Sequence, residues 1–213
     1  MYLGNRQAII FDLRDEMIFL GISVLGELVR IFTVGFAPRN TSGRNTPAGQ
    51  IADELNTTGF YSIIRHPLYL GNFLMWLGPV IFIRSAWFAF VFLLVYWLYY
   101  ERIMFAEEQF LRRKFGDAYD SWSAKVSAFL PFQFKWIPPK LGFSFRNVLK
   151  REYNSFVNIF LIFSILDLFR NYYLTGRIFM TRIWLLLLIG AAVIWLIIRS
   201  IHKYTRWLEV EGR

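Results

Sequence analysis

The sequence predicts an all-α integral membrane protein of about five transmembrane helices, with a polar pocket on its cytoplasmic face and interfacial helices beside it. Three observations predict this class. Of the 213 residues, 56% are hydrophobic and 18% charged, too apolar a balance for the surface of a water-soluble domain. Aromatic residues reach 20% of the chain, with 23 Phe and 8 Trp, which suits lipid contact and anchoring at the headgroups. Apolar runs also recur at about the 20 residues that a helix needs to cross a bilayer.

The spans fall at roughly 16–37, 68–83, 86–105, 154–174 and 182–199. Ahead of the first, residues 1–15 carry mixed charge (Arg6, Asp12, Arg14, Asp15), and the apolar run leads into Glu27 and Arg30 rather than a small-residue cleavage site. That pattern argues for a retained span and against a signal peptide. Glu27 and Arg30, at i,i+3, are expected to pair with each other or to face the protein interior. The second span is short and contains Gly71, Gly78 and Pro79; the triplet Ile83-Arg84-Ser85 then turns the chain into the third span. This helical hairpin returns both of its open ends to one side of the membrane. In the fourth span Asp167 and Arg170, again at i,i+3, are expected to form a structural pair.

Between the spans, residues 38–58 form a polar connector rich in Asn, Thr, Gly and Pro. Its sequons at Asn40 and Asn56 are short matches on a segment expected to be cytoplasmic, so glycosylation is not expected there. Residues 131–151 mix Phe and Trp with Lys and Arg around a Pro-Pro break, a composition for the headgroup region. Lys and Arg number seventeen in the segments 38–67, 101–152 and after 198, against six on the opposite side. This asymmetry places the N-terminus outside and the C-terminus in the cytoplasm. The whole of 1–213 reads as one membrane-embedded domain, with 59–131 as its motif-bearing core and 153–200 as two additional spans.

Composition narrows the chemistry further. With no cysteine, disulfides, thiolate metal sites and a cysteine nucleophile are excluded. Two histidines, His66 and His202, make a histidine-rich metal centre a poor reading, and no metal is expected. The net charge of +9 sits beside hydrophobic spans, so anionic lipid headgroups explain it better than nucleic acid.

Two polar blocks stand out at the cytoplasmic ends of the hairpin. The first is GFYSIIRHPLYLGN at 59–72. Arg65 offers a fork of donors for a carboxylate or phosphate, and His66 donates or accepts near neutral pH. Pro67 suits the first turn of the following helix, whose free backbone donors favour an anion. Tyr69 adds a hydroxyl, and Gly71 permits close approach to the backbone. From chemistry alone, an interfacial anchor explains Arg, His and Tyr equally well. The second block, ERIMFAEEQFLRRKFGDAYDSW, sets Glu107 and Glu108 directly after an apolar span, where charge usually faces a cavity. Pairing of Glu108 with Arg112 on an exposed helix face is its structural reading.

Together the blocks resemble the isoprenylcysteine carboxyl methyltransferase and phospholipid methyltransferase superfamily. The resemblance rests on RHPxYxG at Arg65–Gly71, on Glu107, Glu108, Leu111, Phe115, Gly116 and Tyr119, and on Val126 and Pro131. It implies S-adenosyl-L-methionine as the cofactor, bound by Tyr61, His66, Tyr69, Leu70, Gly71, Glu107 and Glu108, and catalytic roles for Arg65, Glu108 and Arg102. It also implies a membrane lipid or lipidated molecule as the acceptor. Two positions depart from the pattern: Trp122 stands where the family often has Tyr, and Arg102 lies five residues before Glu107 instead of three or four. The two late spans also follow the motif, whereas most spans precede it in the better-known carboxyl methyltransferases.

A carboxylate or phosphate acceptor is already a nucleophile and needs only a cationic clamp, which Arg65, Arg102, Arg112 and Arg113 could form. The arginine excess near the motif therefore favours an anionic oxygen, on a lipid phosphate such as that of lipid A or on a prenyl-cysteine carboxylate, over a phospholipid amine. Two rivals remain. An NADPH-dependent sterol-type reductase tends to carry Asn at the place of Pro67 and lacks the glutamate pair. A membrane scaffold or small transporter accounts for the intramembrane charges but leaves RHPLYLGN unexplained.

Overall fold

A computed structural model describes residues 12–41, 44–46 and 49–213. The reading of the first residues, including Arg6 and the location of the N-terminus, lies largely outside them. Six α-helices carry the fold: α1 (Leu13–Phe36), α2 (Pro67–Phe82), α3 (Ala86–Phe115), α4 (Asp117–Ser123), α5 (Phe145–Thr175) and α6 (Arg182–Tyr204). A small antiparallel hairpin, β1 (Arg44–Thr46) and β2 (Gly49–Ile51), and a 3-10 helix at Gly59–Ser62 fill the α1–α2 connection. α1, α3, α5 and α6 are long and apolar enough to cross a membrane, and α2 is a shorter apolar helix. The chain is thus an all-α membrane protein, and among the described residues four helices have the length and composition of spans. The interfacial helices expected near the headgroups reduce to α4 and the 3-10 turn. Between α4 and α5 the chain is irregular, with Phe132, Phe134 and Trp136 exposed.

α1 packs on α2 through small residues. A Cβ at Gly26 would come within 2.5 Å of the Gly71 carbonyl oxygen, and one at Gly71 within 2.6 Å of the Arg30 side chain. The close approach that Gly71 permits is therefore that of a neighbouring helix. The α2–α3 turn follows the expected hairpin: Arg84 takes positive φ, and the Ser85 hydroxyl caps α3 by accepting from the Phe88 amide. Because the turn is this short, the two helices run antiparallel and the start of α2 meets the end of α3.

At the far end, α1, α5 and α6 are tied by a closed polar network. Arg170 pairs with both Asp167 and Glu16, extending the expected i,i+3 pair across helices. Asp167 also accepts from the Thr181 amide at 2.6 Å and the Thr181 hydroxyl at 2.9 Å, and Glu16 accepts from the Trp184 indole at 2.7 Å. Beneath it Phe163 and Trp184 stack at 5.1 Å, with Phe82 edge-on to both. Charge buried this deeply is tolerated because each group is both paired and hydrogen-bonded.

Candidate active site

Pro67 fixes the start of α2 and puts His66 at its N-cap. The chain just ahead is held by residues from beyond α4: the Arg65 amide donates to the Ser127 carbonyl at 2.8 Å, and the His66 amide to that of Ala128 at 3.1 Å. Gly116, with φ of +52°, breaks α3 and allows α4 to fold back, so that Trp122 donates to the Tyr61 carbonyl at 3.1 Å. The two polar blocks are thereby stitched together by backbone as well as side chains.

Their side chains form one cluster. Glu108 Oε1 accepts from Arg65 Nε at 2.9 Å and lies 2.9 Å from His66 Nε2. The Tyr69 hydroxyl donates to Glu107 Oε1 at 2.6 Å, while Glu107 Oε2 stands 3.7 Å from His66 Nδ1, beyond hydrogen-bond reach. The His66 and Tyr69 rings stack at 5.5 Å. Burial pushes the Tyr61 phenol up, and the Glu107 charge adds to the effect, so that Tyr61 stays a neutral hydrogen-bonding group.

The cluster opens on a cavity of about 1220 Å³. This exceeds the roughly 300–1,000 Å³ of ordinary small-molecule sites. Among the expected site residues Tyr61, Arg65, His66, Tyr69 and Glu107 line it. Glu108 sits immediately behind, through its contacts with Arg65 and His66. Gly71 packs against α1, and neither Leu70 nor Gly71 is part of the lining.

Arg102, to which the resemblance gives a catalytic role, is exposed and lines no part of the cavity. On α3 the cavity-facing positions are Ile103, Glu107 and Leu111, spaced by four, and Arg102 falls one residue off that face. The wider arginine clamp is not assembled either. Arg112 pairs with Asp120 instead of Glu108, at 2.9 Å, and Arg113 is exposed. Arg65 is itself largely committed, since its Nη1 donates to the Ser123 and Val126 carbonyls at 2.8 and 3.1 Å.

Of the two expectations for Glu27 and Arg30, facing the protein interior holds and pairing with each other gives way. Arg30 makes a two-pronged bond with Glu152 of α5, at 2.9 and 3.0 Å, and donates to Asn72. Glu27 is 3% exposed and its carboxylate has no hydrogen-bond partner among the described residues. Sequence reasoning missed the part of α5 and of the C-terminal tail that completes the cavity: Asn147, Lys150, Arg151 and Glu152, with Glu209 and Glu211.

The fold is thus a helical bundle with a buried cluster of carboxylate, histidine and arginine at one end. The sequence model of the phospholipid methyltransferase family matches residues 18–118, a stretch that contains the first polar block and the second as far as Ala118. Over 110 residues the chain is 33% identical to the probable protein-S-isoprenylcysteine O-methyltransferase of Oryza sativa subsp. indica, covering 51% of this chain and 57% of that protein. Over 77 residues it is 34% identical to the protein-S-isoprenylcysteine O-methyltransferase of Schizosaccharomyces pombe, covering 36% and 33%. A third relative, 34% identical over 84 residues and 39% of each chain, is the nickel-cobalt-cadmium resistance protein NccN of Alcaligenes xylosoxydans xylosoxydans. The chain spans little more than half the length of the rice relative it matches. No solved structure matches it significantly. Through the matched region the chain is similar to the isoprenylcysteine carboxyl methyltransferase and phospholipid methyltransferase superfamily.

Proposed function

We propose that this protein methylates the carboxylate of a lipidated, prenylcysteine-like acceptor at the membrane, with S-adenosylmethionine as the methyl donor. The observation that carries the reading is that Arg65, His66, Tyr69 and Glu107, with Glu108 held behind them, form one cluster at a large cavity within the segment matched by the phospholipid methyltransferase family model.

The residues present fit the donor. Bound there, S-adenosylmethionine supplies a methyl group already activated on a sulfonium. Glu107 has an oxygen beyond the one that Tyr69 occupies, and that acceptor would take the donor's ammonium or ribose hydroxyls. Tyr61 and Trp122 give the cavity aromatic walls for a flat base or a cation. Arg65 and His66 hold Glu108 from two directions, which preorganises the carboxylate instead of leaving it to water. A carboxylate acceptor is ionised at neutral pH, so the chain need not supply a general base. Its task reduces to alignment and exclusion of water.

The concentration of Lys and Arg at the cavity end of the bundle supports a cytoplasmic site, on the side where the donor is made. On this reading all of 1–213 works as one unit, since α5 and the tail complete the cavity begun by the motif. A second reading is methylation of a phospholipid amine; Glu107, Glu152, Glu209 and Glu211 in the cavity wall favour a cationic head.

The deciding assay supplies purified protein in nanodiscs with methyl-labelled donor and either N-acetyl-S-farnesylcysteine or phosphatidylethanolamine. The expected product is a base-labile methyl ester of the farnesylcysteine, heavier by one methylene. Label in the amine lipid alone would replace this reading with the second. Binding of NADPH without binding of S-adenosylhomocysteine would remove both.

A further inference from the structure

The motif cluster is backed by a second set of polar contacts from the neighbouring helices. Arg30, in the last two turns of α1, uses all three guanidinium nitrogens. Its Nε and Nη2 bond Glu152 of α5 at 2.9 and 3.0 Å, and its Nη1 donates to Asn72 Oδ1 at 2.5 Å. Gly71 opens this route across α2, since a Cβ there would stand 2.6 Å from Arg30 Cγ. Because its oxygen accepts from Arg30, the Asn72 amide turns its nitrogen to α3 and donates to the Tyr100 hydroxyl at 3.2 Å.

The Tyr100 ring lies against two others. Its centroid is 5.1 Å from that of Tyr69 and 4.1 Å from that of Tyr96, whose hydroxyl donates to the Tyr69 carbonyl at 2.7 Å. Tyr69 is thus held by its backbone and by its ring, with its own hydroxyl on Glu107 at 2.6 Å. A continuous path of contacts runs from Glu152 through Arg30, Asn72, Tyr100 and Tyr69 to Glu107, and both of its ends line the cavity.

Stability alone does not account for this arrangement. Replacing a buried ion pair by apolar residues is often neutral or stabilising. Arg30 also passes over Glu27, one turn back on its own helix, and leaves that buried carboxyl without a hydrogen-bond partner among the described residues. What its bonds achieve instead is to tie the cavity wall of α5 to Asn72, one turn beyond Tyr69 on α2.

We propose that Arg30 and Glu152 are positioning residues for the methyl-donor site: they set Asn72 and Tyr100, which fix Tyr69 and, through it, the Glu107 carboxylate. This rests on the methyltransferase reading of the same cavity. A binding carboxylate loses affinity when the side chain that orients it is free to tilt, so the support behind Tyr69 matters as much as Tyr69 itself. The family match covers Arg30 but ends before Glu152, so a span late in the chain steadies a site whose motif lies earlier.

A double-mutant cycle on the full chain in nanodiscs tests this, reading S-adenosylhomocysteine affinity by calorimetric titration beside a thermal melt. Arg30→Met together with Glu152→Leu removes both charges, so that neither is left buried alone. In the wild-type background this pair of substitutions should weaken binding about fivefold, and by no more than Tyr69→Phe does. In the Tyr69→Phe background it should change binding by less than about twofold, because the link to Glu107 is already cut. Tyr100→Phe keeps the ring and removes the hydroxyl that Asn72 holds. It should show the same dependence on Tyr69 at smaller amplitude, and it decides the question if the double variant does not fold. Losses that add in full in the Tyr69→Phe background, or unchanged affinity in the folded variants, would overturn the positioning role and leave the pair a structural tie. A folded wild type that does not bind S-adenosylhomocysteine would instead sink the methyltransferase reading itself, an outcome distinct from either.

Discussion

Two buried clusters of charge sit at opposite ends of this bundle, and they are built on different terms. At the far end Asp167, Arg170 and Glu16 are closed: each is paired, and Thr181 and Trp184 take up remaining acceptor capacity. At the cavity end Glu108 is tightly held by Arg65 and His66, yet Glu107 keeps an oxygen without a close partner and faces open space. The closed cluster joins helices far apart in sequence, Glu16 and Arg170 being 154 positions apart. The open one lies within 43 residues and joins the two arms of one hairpin. Similar residue types thus form a closed clamp in one place and the proposed binding surface in the other, and spare hydrogen-bonding capacity tells them apart.

The sharpest way to break this comparison is at the closed end. Asp167→Ala leaves Arg170 with less compensation and strips Thr181 of its acceptor. A loss of about 3–5 kcal/mol is expected, read as a large fall in unfolding temperature or a failure to accumulate folded protein. At the open end, Glu108→Ala should abolish S-adenosylhomocysteine binding while costing less stability, since Arg65 retains the Ser123 and Val126 carbonyls. Calorimetric titration beside a thermal melt separates the two effects. Tyr69→Phe removes one hydrogen bond to Glu107, worth about 1 kcal/mol, and should weaken binding by several-fold with the fold intact. The smallest effect is expected for Arg102→Ala: an exposed side chain outside the cavity should alter stability by less than about 0.5 kcal/mol and leave binding unchanged.

What could be read from the sequence followed from short-range constraints. A three-residue turn at 83–85 forces α2 and α3 antiparallel, so the meeting of Arg65 and His66 with Glu107 and Glu108 was legible before any coordinates. The Asp167–Arg170 pair was legible for the same reason, being one helical turn apart. Long-range choices were not. Nothing in the sequence tells Arg30 to prefer Glu152, 122 residues away, over Glu27 one turn back. Arg112 turns to Asp120 because Gly116 folds α4 back on α3, a tertiary consequence of one positive φ. The α5 wall was invisible because apolar spans show which residues meet lipid but not which end of a neighbour they cover.

The most direct measurement of the central claim is the affinity of S-adenosylhomocysteine for the wild-type chain and for Glu107→Gln, determined in nanodiscs with the unfolding temperature recorded for each. The account predicts saturable binding to wild type, weakened about tenfold or more in Glu107→Gln, with both proteins melting at the same temperature. Equal affinity in the two proteins, or a folded wild type that does not bind, would contradict it.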